Sequence, residues 1–467
     1  MFLKGIDMNG NKIYLCIDLK SFYASVECVE WGWDPLTARL VVADPERSEK
    51  TICLAVSPAL KQMGVPNRCR VFQIPKEIPY KMAPPRMQLY IDYAAEIYGV
   101  YLKYIAKEDI QVYSIDEAFL DVTDYLHLYQ MTAVELGRTI MQDILDTTKI
   151  PAACGVGTNL YLAKVALDIM AKHETDRIAY LDEARYREKL WKHKPLTDFW
   201  RVGRGTVERL SNMGICTMEE IAHARESLLY KSFGIDAELL IDHAWGWEPT
   251  TIAQIKAYKP EKNSVGSGQV LQCAYTAEKA KLIVKEMTDL LVLDLVDKGL
   301  VTDQMVLTIG YDIDNLTDPA IRNKFHGEVT TDRYGRKVPK HAHGTANLPE
   351  YTSSTRMIMK SVEVLYDRII NPDLLVRRIY VVASRVIPEG EAKEKEVFEQ
   401  MDLFTDYEAL KKEKEQEQTE LQKEKRIQHA ILDLQKKFGK NAVLKGMNLE
   451  EGAMTRERNK QIGGHKA

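Results

Sequence analysis

IYLCIDLKSFYASVE, residues 13–27, opens with a short apolar, β-leaning run and reaches an acid at Asp18. Ile13 to Ile17 reads as a buried strand, and a helix follows from Ser21 through about Val29. Taken alone, an aspartate at a strand end either caps the next helix or ligates a metal. Two later stretches bear on that choice. VYSIDEAFLDVT, residues 112–123, places Asp116 and Glu117 side by side at the turn of an apolar hairpin. Burying unpaired carboxylates is costly, so a metal, a basic side chain or water at the turn must meet them. ACGVGTNLYLAKVALDIMAK, residues 153–172, reads as a strand, a glycine-bearing turn and a helix with Thr158 or Asn159 as its N-cap. Such a unit can bring backbone N–H groups and lysines to an anion, or simply carry solvated lysines. Lys164 and Lys172 are eight residues apart, about 80° around a helix, and so can address one region.

A chain of 467 residues should divide into three or four domains. Its 45% hydrophobic and 28% charged residues form a globular balance. No run of about 18 apolar residues predicts a membrane span, and residues 1–20 show no apolar h-region or small-residue cleavage site, so no export is expected. Seven cysteines, scattered without a CxxC, read as free thiols of a cytoplasmic protein and argue against zinc. The net charge of −4 is not that of a basic nucleic-acid binder, but a groove needs only local positive charge.

Strands are expected at Arg39–Ala43, Thr51–Val56 and Ala152–Val156, with two more around a turn between Asp109 and Val122. Helices are expected from Pro58, over Tyr90–Ile105, over Ala133–Thr147 and over Asn159–Ala171. Short helices follow from Glu183 to about Trp247, then an exposed linker. Val265 to Ile387 is mixed α/β, with strands near Leu271, Met305–Tyr311 and Arg377–Ile387. Beyond Pro388, Glu, Lys and Gln dominate, giving a solvated helix or a disordered tail, within which Leu421, Ile427, Ile431, Leu434 and Phe438 form an apolar helical stripe fit to pack on the body or to bind a partner.

A strand-borne aspartate, an Asp-Glu pair about 100 residues on, and lysines on a following helix suit a two-metal site for phosphoryl transfer. Magnesium takes oxygen ligands, and two ions about 4 Å apart stabilise attacking and leaving oxygens. DLKSFYASVE, SIDEAFLDV and GVGTNLYLAKVALDIMAK together resemble the catalytic core of Y-family translesion DNA polymerases, the DinB/UmuC group. The resemblance runs from about residue 13 to 246, and more loosely to 387. It implies that Asp18, Asp116 and Glu117 hold two Mg2+ ions, with the Leu19 carbonyl as a further ligand. By the same resemblance, Tyr23 is the steric gate against a ribose 2′-hydroxyl, Phe22 packs beside it, and Lys172 reaches the triphosphate. The chain departs from the DinB pattern where a Tyr and an Arg grip the phosphates: Pro58 and Lys61 stand there. Proline donates no hydrogen bond and lysine lacks arginine's fork. The lysine places the chain nearer the UmuC-like branch.

The implied fold is α+β, a right hand whose palm is an antiparallel sheet backed by helices. The expected boundaries are palm 1–21 and 87–178, fingers 22–86, helical thumb 179–246, linker 247–263, α/β little finger 264–387 and a tail over 388–467. WRVGRGTVERLSNMGI, residues 200–215, resembles a helix-hairpin-helix in which Gly203, Arg204 and Gly205 face a DNA phosphate; an ordinary turn is the plain reading. Leu316 to Tyr351 looks like an insertion, basic and histidine-bearing, that either touches template or is solvated. In the tail, Gln400, Leu403 and Phe404 resemble a peptide that docks on the bacterial sliding clamp.

The implied activity is that of a DNA-directed DNA polymerase of low fidelity, joining dNTPs to primer-template DNA in damage tolerance and SOS mutagenesis. An accessory mutagenesis subunit or a recombinase filament is a further partner in the UmuC branch. Two alternatives stand beside it. A nucleotidyl cyclase or other palm-type nucleotidyl transferase would use the same carboxylates but not the DNA-contacting turn or the clamp peptide. A catalytically silent, clamp-recruiting DNA-binding subunit would have no physical need of three intact carboxylates.

Overall fold

The computed structural model describes residues 12–260, 263–323, 325–332, 335–392 and 407–467. Its described residues form two compact units. One runs to Tyr258 and takes in His465–Ala467; the other spans Lys259 to Gly464.

The first unit is organised by a five-stranded sheet in the order Ile110–Val112, Glu117–Asp121, Tyr14–Leu19, Ala152–Gly157, Ile178–Leu181. All pairs are antiparallel except the last. The central strands are buried on both faces, so they read as nearly continuous apolar runs rather than alternating ones. Alternation still assigns faces. Leu15 and Ile17 point to the side where helices Met87–Leu102 and Ala133–Thr148 pack. Tyr14, Cys16 and Asp18 point to the other, where residues 160–171 cover Tyr14 and Cys16. The Ala133–Thr148 helix starts in a capping box: Glu135 N–H donates to Thr132 Oγ1 (3.2 Å) and Thr132 N–H to Glu135 Oε2 (2.8 Å).

The helix expected over Asn159–Ala171 differs in kind. It is α-helical only over Leu160–Val165, then continues as a π-turn over Ala166–Ala171. The two glycines before it serve the sheet rather than a phosphate turn. A Cβ on Gly155 would lie 2.1 Å from Ala163 O, and one on Gly157 2.1 Å from Ala163 N. Their bare backbone lets the helix lie directly on the strand. Asn159 closes the helix start, its Oδ1 accepting from Leu162 N–H at 2.8 Å.

Residues 40–83 build a small sheet in the order Ala55–Val56, Leu40–Val42, Lys81–Ala83. The strand expected over Thr51–Val56 shrinks to Ala55–Val56, with an isolated bridge from Ile52 to Arg70. Short helices follow from Glu183 to Trp245, joined to the main core through Leu196, Phe199, Leu210 and Leu240. The stretch expected as an exposed linker holds a helix, Ile252–Ala257, with Thr251 as cap and Ile252 buried.

The second unit has βαββαβ order around a four-stranded antiparallel sheet: Ala342–Thr352, Leu300–Tyr311, Val376–Pro388, Asn263–Tyr275. Helices Ala277–Asp297 and Thr355–Ile369 cover one face. The segment read as an insertion is therefore shorter than 316–351, because Ala342–Thr352 is an edge strand of this sheet. The tail also departs from a purely solvated reading. Helix Tyr407–Phe438 packs on Ala277–Asp297, and the following turns close over Glu286.

Candidate active site

Asp18 is the last residue but one of the central strand, and Glu117 begins the neighbouring strand directly opposite it. Asp116 lies just outside the ladder, but its carbonyl accepts from Leu19 N–H at 2.9 Å, which pins the acidic corner beside Asp18. Ser114 Oγ donates to Asp116 Oδ1 at 2.6 Å. Three acids thus share one end of the sheet, Asp18 and Glu117 on the face toward the Leu160–Ala171 helix and Asp116 at the turn beside them.

That helix answers them with two lysines. Lys164 Nζ lies 2.8 Å from Glu117 Oε1 and 2.9 Å from Asp168 Oδ2. Lys172 Nζ lies 2.8 Å from Asp168 Oδ1 and 3.2 Å from Asp18 Oδ2. In the π-turn Lys172 N–H reaches back five residues to Leu167 O (3.3 Å), which reduces the rotation per residue and aligns 164, 168 and 172. Cys16 Sγ donates to Glu117 Oε1 at 3.1 Å. The result is an unbroken chain of charges, Glu117–Lys164–Asp168–Lys172–Asp18.

Burial pushes the Asp18 carboxyl up to about 6; Lys172 pulls against this, and Asp116 and Glu117 add to it. Burial works against the charge on Lys164, but Cys16, Glu117 and Asp168 outweigh it and hold its pKa above the ordinary lysine range. Lys61 is shifted down, chiefly by burial; Asp18 opposes this, and Lys172 and Lys20 reinforce it. Its Nζ donates to Ser21 Oγ at 2.9 Å, and Ser21 takes the left-handed conformation, φ 51°.

The donor set is all oxygen, and mutual repulsion among the acids is what a divalent cation would relieve. The residues therefore fit magnesium. Among the described residues, no three His, Cys, Asp or Glu side chains are arranged to cage a metal by themselves. Magnesium does not require such a cage, since substrate phosphates complete its shell.

Asp18, Leu19, Asp116, Glu117, Lys61 and Lys172 are thus gathered at one sheet end. Phe22 is buried beside Tyr23, with ring centroids 5.8 Å apart. Gly203 caps helix Arg204–Ser211 and Gly205 lies in its first turn; a Cβ on either would meet open space. The left-handed residue of that turn is Arg201, φ 65°, not a glycine. Gln400, Leu403 and Phe404 lie outside the described residues. Sequence reasoning missed Asp168 and Cys16, and also Glu27, Arg86 and Tyr90 behind Tyr23. Asp168 is signalled only by its spacing of four from each lysine.

Comparison with known proteins bears on the family and the fold. The impB/mucB/samB family matches residues 17–168, and the C-terminal domain of the same family matches residues 262–402. The UvrX protein of Bacillus subtilis (strain 168), named for UV-damage repair, is 28% identical over 458 residues, covering 98% of each chain. DNA polymerase IV 2 of the same organism is 26% identical, covering 98% of this chain and 100% of its own. A solved Y-family DNA polymerase chimera, Dbh-Dpo4(243-245)-Dbh, superposes with a TM-score of 0.60 at 20% identity, covering 80% of this chain and 99% of its own. With both halves of the family matched and its relatives aligned end to end, this chain belongs to the impB/mucB/samB family and has the fold of a Y-family DNA polymerase.

Proposed function

We propose that this chain is a template-directed DNA polymerase of the translesion type, extending a primer 3′-hydroxyl with dNTPs in DNA damage tolerance. One observation carries the reading: Asp18 and Glu117 face each other across paired strands beneath a lysine-bearing helix, within a Y-family fold. Asp18, Asp116, Glu117 and the Leu19 carbonyl would hold two magnesium ions, which when bound supply charge stabilisation for attacking and leaving oxygens. Lys172 and Lys61 serve the triphosphate. Lys61 does so as a point charge, with the weaker grip expected where an arginine fork is missing. Tyr23 blocks a ribose 2′-hydroxyl and Phe22 backs the sugar.

In this reading the five-stranded sheet and its helices are the palm and residues 22–86 the fingers. Residues 179–246 are the thumb, 247–263 the connection and 264–387 the little finger. Gly203, Arg204 and Gly205 meet a DNA phosphate: bare glycines at a helix start let backbone N–H groups approach an anion. Gln400, Leu403 and Phe404 dock on the sliding clamp, an apolar insertion of a short peptide into a groove.

Primer extension with Mg2+ and dNTPs tests the proposal. Wild type should extend, and Asp116→Ala/Glu117→Ala should abolish extension while still binding primer-template. Extension unaffected by the double substitution would overturn the site. Clamp stimulation lost on Leu403→Ala/Phe404→Ala would support the docking peptide.

A further inference from the structure

Behind Tyr23 lies a buried network that the metal chemistry does not use. The Tyr23 ring stacks on Tyr90, with centroids 4.4 Å apart and an interplanar angle of 15°. Tyr90 is fully buried, and its hydroxyl donates to Glu27 Oε1 at 2.7 Å. Glu27 is 1% exposed and is held twice by Arg86, Nε to Oε1 at 3.1 Å and a terminal nitrogen to Oε2 at 2.7 Å.

The pattern follows from helix geometry. Tyr23 and Glu27 are four apart on helix Phe22–Glu30, so they stand on one face one turn apart. Arg86 and Tyr90 are four apart at the start of helix Met87–Leu102. The two pairs oppose each other, ring to ring and guanidinium to carboxylate. A carboxylate buried in an apolar helix face is costly unless satisfied, and here all of its partners come from the second helix. The anchoring does not reach Tyr23 through a hydrogen bond. It reaches it through Tyr90, whose ring fills the space into which Tyr23 would otherwise turn.

We infer that Tyr90 is a positioning residue for sugar selection: clamped by Glu27 and Arg86, it keeps the Tyr23 ring from retreating before a 2′-hydroxyl. The inference rests on the reading of Tyr23 as the gate. Tyr90 touches neither the nucleotide nor the reacting atoms, so its effect is on discrimination between dNTP and rNTP. Removing the ring while keeping the helix apolar leaves a gap beneath Tyr23 and lets it yield. Loss of one aromatic stacking partner predicts about a 3- to 10-fold fall in discrimination.

The test is single-nucleotide insertion by the full chain on primed template, with kcat/KM measured for a dNTP and the matching rNTP. Tyr23→Ala, Tyr90→Leu, Tyr90→Phe and Arg86→Gln are compared with wild type. Tyr23→Ala should collapse the dNTP/rNTP ratio, Tyr90→Leu should lower it about 3- to 10-fold, and Tyr90→Phe, which keeps the ring but loses the hydrogen bond to Glu27, should lower it by a smaller factor of about twofold. If Tyr90→Leu does not fold, Arg86→Gln decides, since it loosens the clamp from its half-exposed end; a ratio lowered about twofold or more supports the inference. A ratio unmoved in the folded Tyr90→Leu protein, with both rates falling together, would show a merely structural role and overturn it. An unmoved ratio in Tyr23→Ala would instead sink the gate reading beneath it.

Discussion

The ammonium nitrogen of Lys164 sits 2.8 Å from Oε1 of Glu117, and less than a tenth of either side chain is exposed. The pair sets one acid of the site against a cation from the opposing helix. Removing one member of a buried pair leaves an uncompensated charge, which costs about 3–5 kcal/mol. Lys164→Met should therefore lower stability in EDTA by that order, and Mg2+ should restore part of it by meeting Glu117. Thermal melts in EDTA and in Mg2+ check both statements; a variant that melts like wild type in EDTA would refute the account.

Gly157 lies beneath the helix that brings Lys164 to Glu117. A Cβ there meets backbone 2.1 Å away, which cannot move without shifting the helix. Gly157→Ala should cost about 3 kcal/mol and depress activity with stability. Gly205→Ala, into open space in a helical first turn, should stabilise by about 0.5 kcal/mol. Urea unfolding of the two variants should thus give shifts of opposite sign.

The acid limb of stability should carry the mark of Glu248. Burial alone would raise its pKa, but His243, 3.1 Å away, and Thr250 N–H, at 2.9 Å, outweigh it and hold the carboxyl at about 2. A depressed pKa means that the carboxylate stabilises the fold above the unfolded value near 4.5. That contribution is lost as pH falls from there toward 2. Glu248→Gln should be less stable than wild type by about 3 kcal/mol at pH 6, and the gap should close by about pH 2. Denaturant titrations across that range measure it, and a pH-independent gap would be the contrary result.

In the second unit, Glu286 is 2% exposed and accepts from Asn448 Nδ2 (2.9 Å), Met454 N–H (2.7 Å) and Thr455 N–H (3.2 Å). Glu286→Ala strips three donors of their acceptor, and about 3 kcal/mol of local stability should go with it. Limited proteolysis should then cut within residues 440–460 at protease levels that leave wild type intact.

Much of the fold was legible because its central strands are apolar runs bounded by acids and turns. Ile13–Ile17 and Ala152–Val156 were placed within one or two residues. Ala342–Thr352 escaped because an edge strand with a polar face alternates small and polar residues, and so looks like a loop. The turns after Phe438 escaped for another reason. Their order depends on Glu286, Asp289 and Gln269, each more than 150 residues away in the chain.

What the sequence by itself determined is the set of acids and lysines and the elements that carry them, because strand alternation and helix caps are local. Which cation meets which acid was decided only by tertiary structure. Gly155 and Gly157 read as a turn until the helix is seen resting on them, and Lys164 reads as solvated until Glu117 lies beneath it. Tyr90 reads only as the start of a helix until two helices set it against Tyr23. Pairing across a sheet or between helices depends on distances of a few ångströms between residues far apart in the chain, and no local pattern encodes them.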